Sequence, residues 1–105
     1  MSVALETDLR RAVARGQLAL VYQPQLRAAD GRLAGVEALL RWQHPERGTV
    51  SPLDFIPIAE EVGIIAELGE WALAEAARQM VDWRRRGIAV PRVAVNLSAR
   101  QFHHA

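Results

Sequence analysis

Two strand-patterned segments flank Asp30-Gly31, and the shortness of that connection constrains the fold more than any other feature of the sequence. Leu18 to Leu26 and Leu33 to Trp42 carry strand-forming patterns, and Asp-Gly is strong turn chemistry. Parallel neighbours need a long crossover, which this connection cannot hold, so the two segments must pair as an antiparallel hairpin. Leu18, Ala19, Leu20 and Val21 make both faces of the first strand apolar near its start, which predicts cover on both sides. Pro24 places that strand at an edge, or ending there, with Gln23 near its terminal rim.

The flanking segments read as helices and one further strand. Leu5, Leu9, Ala12 and Val13 recur at helical spacing, with Gly16 as the stop. After a loop at Gln43 to Gly48, Ser51 is a helix N-cap, Pro52 the first helical position and Asp54 an acid in the first turn. Pro57 lies inside this helix and predicts that it is short or bent there. A longer helix runs from about Ile64 to Arg86, its buried stripe being Ile65, Leu68, Ala72, Ala76, Met80 and Trp83. Arg84, Arg85 and Arg86 suit a helix C-terminus, and Gly87 ends it. Val93 to Leu97 is a third strand. Gln101 to Ala105 begin another element that does not develop.

Composition narrows the function classes. The 105 residues are one domain's worth, able to bury roughly two-thirds of their unfolded surface. Without cysteine there is no disulfide framework and no thiolate metal site. Every basic residue is arginine, which excludes lysine Schiff-base chemistry from these residues alone. Thirteen basic against 12 acidic side chains argue against a nucleic-acid polymer as partner. The apolar runs are far short of a membrane span, and the N-terminus lacks a secretory signal, so the expected setting is soluble and cytoplasmic.

Strand alternation supplies the sharpest functional clue. One face of Leu33 to Trp42 carries Ala34, Val36, Ala38, Leu40 and Trp42; the other carries Leu33, Gly35, Glu37, Leu39 and Arg41. The ordinary reading is an edge strand with a solvated polar face, where Glu37 and Arg41 pair weakly. The alternative is a concave site in which the carboxylate binds a cation and the guanidinium grips a phosphate. Asn96 interrupts an apolar strand and shares a face with Ala94 and Ser98, where its amide needs partners. It is also read as a satisfied structural residue. His44, His103 and His104 have no zinc-ligand spacing and read as loop or terminal residues.

As an ordered string, Tyr22-Gln23-Pro24, Gly35-Val36-Glu37-Ala38-Leu39-Leu40-Arg41-Trp42, His44-Pro45, Phe55-Ile56-Pro57-Ile58-Ala59-Glu60 and Val95-Asn96-Leu97-Ser98 resemble the EAL domain family. Glu37-Ala38-Leu39 matches the tripeptide that names the family, and the likeness runs from about Leu5 to Phe102. It implies an α/β fold: the N-terminal portion of a modified (β/α)8 TIM-type barrel with an antiparallel first hairpin. Residues 1–16 would be a leading helix, and 17–105 the first three strands with their intervening helices.

The resemblance implies a cyclic di-GMP phosphodiesterase using two Mg2+ or Mn2+ ions and releasing linear pGpG. Glu37 and Asn96 would be metal ligands. Arg41 would hold a ligand phosphate, Gln23 would contact the nucleotide, and Leu39 would pack near a guanine. The family's later motifs, namely a further metal-binding glutamate, paired aspartates, a catalytic-site lysine and a late glutamate and glutamine, have no counterparts here. A whole barrel typically needs about 250 residues. The expectation is therefore part of such an enzyme, inactive alone; the alternative is a non-catalytic half-domain that binds cyclic di-GMP or another protein. The implied partners are an upstream diguanylate cyclase or sensor domain and an EAL-type dimer.

Overall fold

A computed structural model describes residues 3–97; Ser98, His103, His104 and the segment from Gln101 lie outside the described residues. The elements run α1 (Val3–Ala12), β1 (Leu18–Leu26), β2 (Leu33–His44), β3 (Gly48–Val50), α2 (Pro52–Val62), α3 (Ile65–Arg85) and β4 (Val93–Asn96). The expected hairpin forms, with Leu18 opposite Trp42 and Gln23 opposite Glu37, and a register shift at Gln25/Leu26. Its turn is closed by Arg27 N–H to Arg32 O at 2.8 Å. The Asp30 carboxylate accepts from Arg32 N and from the Arg27 guanidinium.

β2 is the central strand, not an edge. β1 pairs with it antiparallel along one side, while β3 (antiparallel) and β4 (parallel) pair with it elsewhere along its length. The segment from Gln43 to Gly48, expected to be a loop, is instead the end of β2, a tight turn and the start of β3. Three-residue β3 is too short for any periodicity to reveal it.

The core gathers at the Trp42 end of β2. Trp42 is fully buried. Its ring meets Phe55 edge-on at 5.8 Å, and its Nε1 donates to Gln17 Oε1 at 3.1 Å. Leu5, Leu9 and Ala12 of α1 join this cluster, as do Phe55, Ile56, Ile58 and Ala59 of α2. His44 is not a loop residue. It is buried at the end of β2, where its Nε2 lies 2.7 Å from Asp8 Oδ2 of α1. Its Nδ1 accepts from the backbone N–H groups of Glu46 and Arg47, both at 3.1 Å. Two donors aimed at Nδ1 place the ring proton on Nε2, facing the aspartate. One imidazole thus ties α1, β2 and the β2–β3 turn together.

The helices follow their caps. Ser51 Oγ accepts from Leu53 N at 3.2 Å, and Gly63 ends α2 in the left-handed region at φ 82°. α2 is not cut short by Pro57; it continues to Val62. Pro57 lies on the exposed side with Leu53 and Asp54, so the buried side formed by Phe55, Ile56, Ile58 and Ala59 stays intact. In α3, Leu68, Ala72 and Ala76 are buried as expected, whereas Ile65, Met80 and Trp83 are half-buried. Trp83 meets Tyr22 of β1 edge-on, with ring centroids 5.0 Å apart. The Tyr22 hydroxyl has no hydrogen-bond partner among the described residues, and burial, aided by Glu75 and opposed by Arg78, pushes its pKa up.

β1 departs from expectation. It is an edge strand among the described residues, as Pro24 implied, but only one of its faces is covered. Val21, on the other face, is 48% exposed. β1 also continues through Pro24 to Leu26, so Gln23 sits within the strand and not at its rim. No described helix is long and apolar enough to cross a membrane.

Candidate functional site

The alternation of β2 divides its residues between two environments. Val36, Ala38, Leu40, Trp42 and His44 are all buried on one face. Glu37, Leu39 and Arg41 share the opposite face, where pairing on both sides of β2 brings further polar groups beside them. Gln23 stands directly opposite Glu37 across the antiparallel ladder, and directly paired side chains lie on the same face. On the other side, Ala94 pairs with Glu37 and Asn96 with Leu39 in parallel register. Gln23, Glu37, Leu39, Arg41 and Asn96 therefore converge on one surface, drawn from three strands.

Asn96 and Glu37 make the decisive contact. Asn96 Nδ2 donates to Glu37 Oε2 at 3.2 Å, joining residues 59 positions apart. Asn96 is 6% exposed and Leu39 8%, whereas Glu37 and Arg41 are half-buried and Gln23 is exposed. The simple Glu37–Arg41 ion pair is not realised. The Arg41 guanidinium instead donates to the Leu40 carbonyl at 3.2 Å. Glu37 is thus engaged by an amide, and Arg41 has no carboxylate partner among the described residues.

The donor set has a definite chemical character. Glu37 offers carboxylate oxygens and Asn96 an amide, which are hard groups suited to Mg2+ or Mn2+ rather than to soft metals. These two residues fit such an ion as part of its ligand set. Among the described residues no group of three or more His, Cys, Asp or Glu side chains is placed to hold a metal. Hard divalent ions take about six oxygen ligands, so the pair supplies a fraction of a complete shell. A cavity of about 640 Å³ elsewhere, lined by Leu5, Thr49, Ser51, Asp54 and Ile58 among others, includes none of the converging residues.

This geometry accompanies a clear sequence relationship. The family model for the EAL domain matches residues 6–105. The chain belongs to the EAL domain family. It is 54% identical over 98 residues to the bifunctional diguanylate cyclase/cyclic di-GMP phosphodiesterase MucR of Pseudomonas aeruginosa, covering 93% of this chain and 14% of that protein. It is 50% identical over 98 residues to the cyclic di-GMP phosphodiesterase PdeR of Escherichia coli, covering 93% and 14%. The chain therefore spans about one-seventh of the length of these curated relatives.

Solved structures place the fold in the same family. The P. aeruginosa MucR phosphodiesterase, in complex with c-di-GMP, superposes with a TM-score of 0.84 at 52% identity, covering 98% of this chain and 42% of that one. The Xanthomonas citri FimX EAL domain, also in complex with c-diGMP, gives 0.76 at 30% identity, covering 88% and 35%. The architecture is α/β, that of the N-terminal part of an EAL domain. Sequence reasoning found the five converging residues but not the Asp8–His44 tie. Its partners are 36 positions apart and carry no local signal.

Proposed function

We propose that this chain is part of a metal-dependent cyclic di-GMP phosphodiesterase that hydrolyses cyclic di-GMP to linear pGpG. The observation that carries the reading is the convergence of Gln23, Glu37, Leu39, Arg41 and Asn96 on one sheet face, with Asn96 hydrogen-bonded to Glu37. Kinship with phosphodiesterases, and with a relative solved in complex with c-di-GMP, supports it.

Glu37 and Asn96 hold Mg2+ or Mn2+ in this reading. When bound, such ions would supply Lewis acidity and lower the pKa of a water, the chemistry that phosphodiester hydrolysis needs. Arg41 presents a planar fork of donors that matches a phosphate's oxygens, and so orients the diester. Gln23, opposite Glu37, offers amide donors and an acceptor to the nucleotide. Leu39, between Glu37 and Arg41, offers an apolar surface to a guanine ring. The helix α1 leads into the opening part of the barrel, acting in the cytoplasm. These 105 residues alone do not turn over substrate, because Glu37 and Asn96 leave most of a metal shell unfilled.

Cyclic di-GMP hydrolysis by the full-length protein tests this directly, with pGpG followed by chromatography. Turnover that needs Mg2+ or Mn2+, is abolished by EDTA and falls by at least about tenfold in Glu37→Gln is expected. Unchanged turnover in Glu37→Gln would sink the assignment. Tight cyclic di-GMP binding without hydrolysis would replace it with a binding role.

A further inference from the structure

Asn96 occupies a four-residue strand that pairs with β2 alone among the described residues. This short strand makes four register pairs with β2, and its Asn96 amide must meet Glu37. Two glycines on different elements receive its two ends.

Gly35 lies on β2 at the near end. A Cβ there would fall 2.7 Å from Arg92 Cγ and 2.9 Å from the Arg92 carbonyl oxygen, too close for either to stay. That carbonyl accepts from Val36 N at 3.0 Å, beside the first register pair of the β2–β4 ladder. Gly69 lies inside α3 at the far end, where a Cβ would meet Leu97 Cδ1 at 3.1 Å. Strand alternation puts Arg92 on the same face as Asn96, and Leu97 on the opposite face, towards α3. The two glycines therefore admit the residues flanking β4 from opposite sides of the sheet. Glycine weakens a helix interior, and in α3 its missing Cβ makes room for the Leu97 side chain.

We infer that Gly35 and Gly69 are positioning residues for Asn96: by letting Arg92 and Leu97 seat closely, they hold the Asn96 amide on the Glu37 carboxylate. The inference rests on the reading of Glu37 and Asn96 as a metal-holding pair, and it adds the residues that set their mutual placement. Substitution at Gly69 separates positioning from stability. Alanine is the better helix former, so a purely structural change there favours folding, while the new methyl would press on Leu97, the residue next to Asn96.

The experiment uses the full-length protein labelled with 15N-asparagine, and the Asn96 side-chain amide pair is assigned as the one absent from an Asn96→Asp variant. Thermal unfolding without metal, the Asn96 amide resonances and a Mn2+ titration followed by electron paramagnetic resonance are compared between the parent, Gly69→Ala and Gly35→Ala. In Gly69→Ala the expected result is an unchanged or higher midpoint, shifted Asn96 amide resonances and Mn2+ binding weakened about tenfold. Gly35→Ala shifts the same resonances further. If it does not fold, Gly69→Ala decides alone. Parent-like Asn96 resonances in Gly69→Ala overturn the inference, and so does a lowered midpoint, which would mark a general packing defect. A parent chain that takes up no Mn2+, with the resonances still shifted in Gly69→Ala, upholds the positioning role and removes the metal reading instead.

Discussion

The two faces of β2 are built from alternating residues of one strand, yet they answer to different physics. On one face Val36, Ala38, Leu40, Trp42 and His44 are sealed against helices and the β3 turn. On the other, Glu37 and Arg41 stay half-buried and Asn96 arrives from β4 to meet a carboxylate. Because neighbouring residues point in opposite directions, the packing of the first face scarcely constrains what the second carries. The strand is a rigid partition: stability is generated on one side of it, and polar groups are displayed on the other.

Substitutions on the two sides should separate accordingly. Trp42→Ala should have the largest effect, lowering the unfolding free energy by about 3–5 kcal/mol in a urea titration, since a fully buried ring and its Gln17 hydrogen bond are both lost. The counterpart is Glu37→Gln, which keeps the shape. Its stability should stay within about 0.5 kcal/mol of the parent while Mn2+ affinity falls at least about tenfold. A Glu37→Gln variant that unfolds like Trp42→Ala would collapse the distinction between the faces.

Asp8→Ala should come next. It leaves the buried His44 Nε2 proton without its acceptor, at about 1–2 kcal/mol in the same titration, with faster hydrogen exchange at Glu46 and Arg47. Tyr22→Phe should have the smallest effect and the opposite sign. No hydrogen bond is lost, so stability should be unchanged or higher by up to about 1 kcal/mol. Because burial raises the Tyr22 pKa, the unfolded chain gives up its phenol proton first as pH rises. Parent stability should therefore hold below about pH 10 and fall above it, and this fall should be absent in the phenylalanine variant. As the only tyrosine, Tyr22 also reports its own ionisation by ultraviolet absorbance.

Much of this partition was legible in the residues. The Asp30-Gly31 turn forced the hairpin, the alternation of β2 sorted its side chains, and Ser51-Pro52 marked the start of α2. Local chemistry decides each of these. What escaped depends on groups far apart in the chain. Three-residue β3 has no period to detect, and the Asp8–His44 tie joins a helix to a strand end. The apolar Leu18 to Val21 run suggested a strand covered on both sides. The composition of that run could not reveal that the face carrying Val21 lies open, because a neighbour's position is a tertiary fact. That Pro57 does not cut α2 short has a related reason: which side of α2 faces water is also a tertiary fact.

The β2–β4 contact also has a consequence for how the site comes into being. Gln23 and Glu37 meet by closing a short hairpin, an event of microseconds with little loss of chain entropy. Asn96 and Glu37 meet only by closing a loop that spans 59 positions of sequence and contains two helices. The carboxylate thus belongs to the most local part of the fold and its amide partner to one of the least local. An opening that released β4 would separate the pair while the hairpin and the Trp42 core remained standing. Hydrogen exchange at Asn96 would then report the lifetime of the site separately from that of the protein.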